Sequence, residues 1–396
     1  MVIRIAFFGT FYPEFRWAGN SSTGFVYLLS QLSEVKSITV YSQVGSALPF
    51  PLNQKNILLK PIWRHDDSPS LVKAWIQLLR ESSTFDLLIF NTYLTAFGTR
   101  SVTNAIGLVG PTILGRLAST RVCVYMHNLL ETQDLSNLGY DPSLVSRVVA
   151  SILERSLTGS SYVAIPLHAQ WNRLPTKLRS RVQVAFIPYV DSIVPALSCE
   201  ASEPIREPLK TNEILRILIV GNWGPQKDFF GIMKALSVIQ AGGFDLHLTI
   251  AGGINRQFPN YAAARREAMK LLPPACVCDL GEIDDKDLWR IAMSSDVMLL
   301  PYNAAGGYSG ALNLAALARL PVVAYDLVDL REQAEKLEAP VEFIRPGSSL
   351  ALLQALSRVK SRRREESKVD SAGTKSAIVS ATAAMADLLW KWAGEK

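Results

Sequence analysis

The chain of 396 residues has few of the residues that build disulfide frameworks or metal sites. It contains only four cysteines and four histidines, and their spacing matches no common zinc motif. Cys276 and Cys278 flank a single valine, a spacing that places both side chains on one face of a strand. We therefore expect free thiols and no bound metal.

Charge and long apolar runs are also scarce. Charged residues make up 19% of the chain and hydrophobic residues 48%, a composition that excludes disorder for most of the chain. The most apolar stretch, residues 101–115, is shorter than the roughly 18 residues of a spanning helix and contains Gly, Pro, Asn and Thr. No small-residue cleavage site follows the N-terminal MVIRIAFFG, which predicts a buried strand rather than a signal peptide. We expect a cytoplasmic protein.

Short apolar runs typical of strands alternate with stretches of helical periodicity along most of the chain. This order predicts the α/β class, with two doubly wound parallel sheets, and the length favours two domains. The predicted strands are residues 3–8, 38–41, 87–90, 122–125, 162–165 and 184–187 in the first half, and 214–220, 246–251, 297–300 and 322–325 in the second.

The alternation stops in a proline-containing, charged stretch that predicts a linker over residues 192–213. It separates Rossmann-like domains at residues 1–191 and 214–365. A charged run then leads into a last helix, residues 366–396, whose apolar stripe we expect to dock on the N-terminal domain. In such folds the ligand sites lie in the loops at the carboxyl ends of the strands.

The first strand is followed by a long connection whose small residues, from Gly19 to Gly24, allow a ligand to approach the backbone closely. Gly19, Asn20 and Ser21 are thus candidate residues of an acceptor or donor loop. The alternative is an ordinary connection in which Ser22 or Thr23 caps the next helix.

A second candidate follows the strand at residues 122–125, which ends at His127, with Glu131 one helical turn later. An imidazole at the carboxyl end of a strand can bind a sugar hydroxyl or stabilise charge. The alternative is a structural histidine.

In the second half, the first strand leads into Gly221-Asn222-Trp223-Gly224-Pro225-Gln226-Lys227. Two glycines and a lysine before a helix can hold a diphosphate, because the backbone bends tightly and the ammonium supplies a point charge. The motif is neither GxGxxG nor a Walker loop, which argues against an NAD dehydrogenase and a nucleoside triphosphatase.

The strand at residues 297–300 leads into a second such loop, which contains Tyr302, Asn303 and Tyr308. Ser309 can cap the following helix, whose first N–H groups, at Gly310 and Ala311, would then face a phosphate. The alternative is a glycine loop that allows close helix packing. Lys227 and Ser309 follow equivalent strand ends, so we expect them to hold one diphosphate.

These segments resemble a GT-B glycosyltransferase of the glycosyltransferase family 4 type. RILIVGNWGPQKDF, LTIAGG, LGEIDDKDLWRIAMSSDVMLLPY and ALNLAALARLPVVAYD follow the order and spacing of that family's donor domain, while residues 19–24, YMHN and IPYVD match its acceptor domain more loosely. The resemblance covers nearly the whole chain. It implies two Rossmann-like domains that face each other across a cleft, with the C-terminal helix crossing back to the first domain.

The resemblance also implies roles for residues. The acceptor would bind the N-terminal domain and the sugar nucleotide mainly the C-terminal domain, with Lys227 on the diphosphate, the helix start at residues 309–311 on the distal phosphate, and His127 beside the transferred sugar. No cofactor or metal is implied beyond the nucleoside diphosphate sugar, a co-substrate.

The donor motif departs from the family pattern. Asn222 stands where the family has an arginine, and two glutamates expected near residues 305–306 and 313–314 are absent. The segment from Tyr308 to Leu312 instead resembles a variant of polysaccharide enzymes in which a Ser-Gly pair opens the helix. A retaining or an inverting outcome is therefore left open, and for an inverting reaction His127, Glu131 and Glu14 are the candidate bases.

The sequence thus predicts a metal-independent hexosyltransferase of the Leloir type that transfers sugar to a hydroxyl of a glycan or lipid-linked acceptor. The alternatives are a catalytically inactive GT-B binding partner in a glycan pathway and, with less support, a sugar-nucleotide epimerase. Nucleic acid is not an expected partner, because positive charge is dispersed apart from residues 362–364. Residues 101–120, flanked by arginines, predict either a peripheral contact with the inner face of the membrane or a covered helix.

Overall fold

A computed structural model describes residues 2–11, 16–48, 52–93, 96–98, 100–129, 139, 144–188, 214–255, 258–304, 307–365 and 372–394. The chain forms two compact units, which we describe separately. The first unit contains the N-terminal sheet and the end of the last helix, from Ala377 onward, and the second contains the C-terminal sheet.

The first unit is built on a parallel sheet of seven strands in the order β3-β2-β1-β4-β5-β6-β7. The elements are β1 (Ile3–Gly9), α1 (Arg16–Ser30), β2 (Val35–Gln43), β3 (Ile57–Trp63), α2 (Ser68–Glu81), β4 (Leu87–Thr92), α3 (Ser101–Leu117), β5 (Arg121–Met126), α4 (Leu144–Ser160), β6 (Tyr162–Ile165), α5 (His168–Arg173), α6 (Thr176–Arg179) and β7 (Val182–Val184).

Helices cover both faces of this sheet. One face packs against α2, α3 and α4 around Phe8, Trp63 and Trp75. Small residues allow this layer to pack tightly: a Cβ on Gly110 of α3 would lie 2.2 Å from the Trp75 ring of α2. Residues 101–117 are therefore largely a covered helix, although part of α3 stays exposed.

The opposite face packs against α1 and the last helix of the chain, α13 (Ala372–Gly394). Ala381, Met385, Leu388 and Trp392 share a core with β1 and β4. The Arg121 guanidinium of β5 donates a hydrogen bond of 2.9 Å to the Trp392 carbonyl, which satisfies a carbonyl near the end of α13. The end of the chain thus belongs to the core of the first unit.

The second unit is a parallel sheet of six strands in the order β10-β9-β8-β11-β12-β13. Its elements are β8 (Leu215–Val220), α7 (Phe229–Ala241), β9 (Leu246–Ala251), α8 (Tyr261–Met269), β10 (Val277–Gly281), α9 (Asp285–Ser294), β11 (Val297–Leu300), α10 (Gly310–Leu317), β12 (Val322–Tyr325), α11 (Val328–Lys336), β13 (Val341–Ile344) and α12 (Ser349–Glu365). Apolar clusters lie on both faces of the sheet.

The predicted α/β class with two doubly wound parallel sheets is confirmed. The edge strands β3, β10 and β13 were not among the predicted strands, because partly exposed edge strands lack the continuous apolar run of central parallel strands. The last strand of the first unit, β7, spans Val182–Val184, so the predicted limits of 184–187 were wrong.

The prediction that residues 19–24 form a loop before a helix that starts near Phe25 was wrong. They lie inside α1, which begins at Arg16, so neither Ser22 nor Thr23 caps it. Tertiary packing explains the difference: Ser22 and Thr23 are buried, and a Cβ on Gly9 would lie 2.7 Å from the Ser22 hydroxyl. Close helix packing, rather than chain flexibility, thus accounts for the small residues.

Candidate functional site

Lys227 is the central charged residue of the second unit. Its side chain is only 4% exposed, and its ammonium donates a hydrogen bond of 2.7 Å to the carbonyl of Val220 at the end of β8. The ammonium also lies over two aromatic rings, 4.8 Å from the centroid of Trp223 and 5.5 Å from that of Tyr302. An ammonium has three donors, so two N–H bonds remain to point at an anion.

Burial, with a smaller contribution from the nearby positive charge of Arg265, lowers the pKa of Lys227 to about 7. Arg265 lies over Trp223, 5.2 Å from the ring centroid, and pairs with Asp279. An anion bound beside Lys227 at the carboxyl ends of β8 and β9 would therefore favour the charged form of the lysine and raise its pKa.

Tyr302 joins the Lys227 loop to the start of α10. Lys227 and Tyr302 form an isolated antiparallel bridge. Burial raises the pKa of Tyr302, and the neighbouring Ser309 side chain partly opposes this. Ser309 caps α10 by accepting a hydrogen bond of 3.2 Å from the amide of Leu312. Tyr302 thus lies next to both Lys227 and Ser309.

The first two amides of α10 are available for a ligand. Within the described chain, the N–H groups of Gly310 and Ala311 donate no hydrogen bond. Such groups at a helix start, together with the helix dipole, bind anions. An anion that bridges Lys227 and α10 would therefore meet an ammonium and two N–H donors.

The glycines of the first loop allow the strand ends to approach each other closely. Gly221 has a φ of 98° and Gly252 a φ of 131°, both in the left-handed region that favours glycine. A Cβ on Gly252 would lie 2.5 Å from the carbonyl oxygen of Gly221. The backbone at the carboxyl ends of β8 and β9 therefore leaves no room for a side chain at Gly252.

Gln333 of α11, which the sequence did not indicate, fixes the cap residue. Its completely buried amide accepts a hydrogen bond of 2.8 Å from the Ser309 N–H and donates one of 2.8 Å to the Ser309 carbonyl. The side chain thus satisfies both backbone groups of Ser309 and sets the position from which α10 begins.

We expect Gln333→Leu to lower the affinity for a nucleoside diphosphate about tenfold and the stability by about 1–3 kcal/mol, because two buried backbone groups lose their partners. Gln333→Glu retains the acceptor for the Ser309 N–H but places a buried carboxylate against the Ser309 carbonyl, so it should also lower both. Calorimetric titration and thermal unfolding of the two variants measure these effects. Equal affinity in Gln333→Leu and the wild type would contradict the positioning role.

The remaining predicted donor residues differ in exposure. Asn222 and Asn303 are exposed, and the Asn303 amide donates a hydrogen bond of 2.8 Å to the carbonyl of Gln226, which ties the two loops together. The Tyr308 hydroxyl donates one of 2.7 Å to the side-chain oxygen of the buried Asn313. The position that resembles a family glutamate thus holds a neutral, hydrogen-bonded amide.

In the first unit, His127 belongs to a buried polar cluster at the carboxyl ends of β1, β4 and β5. Its Nε2 lies 2.7 Å from Oδ1 of Asn91. The Asn91 amide donates hydrogen bonds of 3.3 Å to the Ser21 hydroxyl and 3.1 Å to the Ser22 hydroxyl. Because the side-chain oxygen of Asn91 faces the ring and can only accept, Nε2 is the nitrogen that donates this hydrogen bond.

Burial lowers the pKa of His127 to about 3, so the imidazole is neutral throughout the physiological range. A general base is most effective when its pKa lies near the working pH. The environment therefore favours a neutral hydrogen-bonding role for His127 over that of a base.

The other predicted residues of the first unit are only partly described. Ser21 is buried in α1 beside Asn91, and Gly19 and Asn20 lie in the first turns of α1. Glu14 and Glu131 lie outside the described residues. Asn91 was not predicted, although it follows an apolar run as His127 does and the same strand-end rule indicates it.

In the described part of the chain, no group of three or more His, Cys, Asp or Glu side chains is arranged to hold a metal ion. Across the same residues, no helix is both long and apolar enough to cross a bilayer.

Residues 215–362, which contain Lys227 and Ser309, match the protein family described as Glycosyl transferases group 1. A comparison with curated protein sequences gives no match. The second half of the chain is thus similar to a glycosyltransferase group 1 domain.

Several solved structures are similar over nearly the whole chain. HepE from Anabaena, in complex with UDP-glucose, has a TM-score of 0.65 at 13% identity and covers 98% of this chain and 100% of its own. Sucrose-phosphate synthase from Thermosynechococcus elongatus has a TM-score of 0.58 at 14% identity, with coverage of 98% and 96%. A putative UDP-N-acetylglucosamine 2-epimerase from Listeria monocytogenes has a TM-score of 0.57 at 12% identity, with coverage of 99% and 98%. At these identities the likeness shows the fold alone, and it supports the predicted GT-B class.

Proposed function

We propose that the protein is a metal-independent glycosyltransferase of the Leloir type, similar to family 4, that transfers a hexose from a nucleoside diphosphate sugar to a hydroxyl of a glycan or lipid-linked acceptor. One observation carries the proposal: the ammonium of the buried Lys227 lies over the ring of Tyr302, which neighbours Ser309, the cap of α10. The match of this segment to Glycosyl transferases group 1 supports it.

The proposed roles of Lys227 and α10 follow from where negative charge develops during sugar transfer. When the bond between the sugar and the diphosphate breaks, negative charge accumulates on the leaving phosphate. The Lys227 ammonium and the N–H groups of Gly310 and Ala311 are preorganised donors for that charge, and a low-dielectric environment strengthens them. These groups can perform the task that a divalent cation performs in other sites.

The buried cluster of the first unit supports the sugar-binding role of His127. A neutral ring held by Asn91 can exchange hydrogen bonds with a hydroxyl without titrating. The proposed sugar-binding region also includes Ser21, which contacts Asn91, and the neighbouring Gly19 and Asn20. For an inverting reaction, the base would be Glu14 or Glu131.

The second candidate is a catalytically inactive GT-B protein that binds a partner in a glycan pathway. The specific observation in its favour is that two positions where the family has charged residues are neutral. Asn222 is exposed, and the side-chain oxygen of Asn313 accepts a hydrogen bond from the Tyr308 hydroxyl. Such a protein would retain nucleotide binding at Lys227 without turnover.

Both candidates fit a role in polysaccharide biosynthesis in the cytoplasm, with a peripheral contact at the inner face of the membrane for a lipid-linked acceptor.

The discriminating experiment is the release of nucleoside diphosphate from a panel of sugar nucleotides by the wild type and Lys227→Ala. Turnover that the substitution reduces would support the enzyme. Binding of a sugar nucleotide without turnover would favour the inactive protein. If no sugar nucleotide binds the wild type, both candidates are overturned.

A further inference from the structure

Glu282 stands at the same edge of the second sheet as the Lys227 loop. It follows β10 directly, as Gly221 follows β8 and Gly252 follows β9. Only β9 lies between β8 and β10, so the ends of these two strands are about 10 Å apart, two strand spacings. A nucleotide whose diphosphate is bound at Lys227 can therefore extend as far as Glu282.

The side chain of Glu282 bends back over the turn that follows β9. A Cβ on Gly253 would lie 2.5 Å from Oε1 of Glu282. Gly253 is also joined to the Lys227 loop, because its carbonyl accepts a hydrogen bond of 2.9 Å from the Trp223 N–H. The carboxylate thus lies on the side of β10 that is nearer to β8.

The strand ends between Lys227 and Glu282 carry glycines. Gly221 follows β8, and Gly252 and Gly253 follow β9, so no side chain covers the backbone at these three positions. The Gly252 N–H donates a hydrogen bond of 2.7 Å to the Gly281 carbonyl, which holds the end of β10 against this turn. A ligand can therefore lie close to the backbone all the way from β8 to β10.

The opposite direction along the sheet edge is occupied by side chains. The Tyr325 hydroxyl, at the end of β12, donates a hydrogen bond of 2.9 Å to Asp228. Gln333 of α11 fills the space beside the cap of α10. A nucleotide bound by its diphosphate between Lys227 and α10 would consequently extend toward β10.

The carboxylate of Glu282 is available for a ligand. It is exposed and, within the described residues, accepts no hydrogen bond and pairs with no cation. Three other carboxylates near this edge are engaged in a helix cap or an ion pair: Asp228, Asp279 and Asp326.

We propose that Glu282 binds the vicinal hydroxyls of the ribose and so makes the site select ribonucleoside over 2′-deoxyribonucleoside diphosphate sugars. This inference rests on the proposed function and narrows its donor class. An ionised carboxylate only accepts hydrogen bonds, and its two oxygens suit two neighbouring hydroxyl donors. In dinucleotide-binding folds an acidic residue beyond the phosphate-binding turn binds a ribose hydroxyl in this way.

Calorimetric titration of the full chain with UDP, 2′-deoxy-UDP and inorganic pyrophosphate tests the proposal. The wild type should bind UDP about tenfold more tightly than 2′-deoxy-UDP, because the charged acceptor loses a donor. Glu282→Ala should bind UDP about tenfold less tightly than the wild type and lose most of this preference. Pyrophosphate has no ribose, so its affinity should be the same in both proteins. The ribo and 2′-deoxy forms of GDP and ADP should show the same ratio, since the base is not involved.

Gly253→Ala tests the position of the carboxylate without removing its charge. The φ of Gly253 lies outside the left-handed region, so alanine fits the backbone, and its Cβ displaces the flexible end of the Glu282 side chain. We expect this variant to lose the preference for ribose as Glu282→Ala does. Combining the two substitutions should cause no further loss, because both remove the same contact.

Glu335→Ala is the matched control for net charge. Glu335 is an exposed residue of α11, and its removal should leave the affinities for all these ligands unchanged. Thermal unfolding should give similar midpoints for the wild type, Glu282→Ala and Glu335→Ala. A loss of UDP affinity in Glu335→Ala as large as that in Glu282→Ala would show that net charge, not a ribose contact, decides binding.

Three results would overturn the ribose contact: equal affinity of the wild type for UDP and 2′-deoxy-UDP, an equal loss of both ligands in Glu282→Ala, or an undiminished preference for ribose in that variant. If one of these occurs while Lys227→Ala still abolishes binding of UDP and pyrophosphate, the proposed function stands. If the wild type binds no nucleoside diphosphate and no pyrophosphate, the proposed function fails and the ribose contact fails with it.

Discussion

Lys227→Met is expected to lower the affinity for a nucleoside diphosphate about a hundredfold and to reduce turnover at least as much. The substitution keeps most of the apolar stem and removes only the charge, which lies over the rings of Trp223 and Tyr302, and its donors. Hydrogen bonds to charged groups contribute about 1.5–3 kcal/mol, which corresponds to roughly 10- to 150-fold in binding. Calorimetric titration with UDP and other nucleoside diphosphates measures the change.

The same substitution has two opposite effects on stability, because it removes a buried charge but leaves the Val220 carbonyl without its 2.7 Å partner. Burial holds the pKa of Lys227 near 7 in the folded state, well below that of an unfolded lysine. Between these two values the unfolded chain binds the extra proton, so the stability of the wild type rises with pH. The advantage of Lys227→Met in free energy of unfolding is therefore largest below pH 7 and shrinks as the pH rises toward 10.

Nucleotide binding should show the opposite pH dependence. A diphosphate binds the protonated lysine, so the affinity of the wild type should fall by up to tenfold per unit above pH 7, and binding should take up a proton. Lys227→Met should lose this dependence, and Lys234→Met, on the exposed side of α7, should behave as the wild type. A pH-independent affinity in the wild type would contradict the assignment.

The sequence could predict Lys227 and Ser309 because both follow central strands, and parallel strands end at one edge of a sheet. It could not predict the groups that set their chemistry. Arg265 reaches Trp223 from α8, and Gln333 reaches Ser309 from α11. Such contacts join residues far apart in the chain, and no local pattern specifies which side chain of a helix faces a given loop.

In the first unit, local propensity gave the wrong structure for residues 19–24. Glycine and serine favour loops in isolation, but inside α1 they allow the helix to approach Gly9 and Asn91 closely. The position of His127 at the end of a strand was predictable, whereas its neutral state was not, because the low pKa depends on complete burial.

His127→Ala is expected to lower kcat/KM for sugar transfer about 10- to 100-fold, the range for one lost hydrogen bond in a buried site. The substitution also leaves the oxygen of Asn91 without its 2.7 Å partner, so some loss of stability is expected. Asn91→Ala should reduce kcat/KM in the same direction, because it releases the ring from its position and frees the hydroxyls of Ser21 and Ser22. His168→Ala, at an exposed position, is the matched control and should leave the activity unchanged.

The pH profile distinguishes the neutral role of His127 from that of a general base. With a pKa near 3, the ring does not titrate between pH 5 and 8, so the wild type and Asn91→Ala should share a profile without an inflection from His127. A general base with a pKa near neutrality would instead give an acid limb in the wild type that disappears in His127→Ala. Such a limb would refute the neutral role. Unchanged kcat/KM in His127→Ala would show that His127 does not contact the sugar, because the loss of a hydrogen bond to the reacting sugar weakens binding of the transition state.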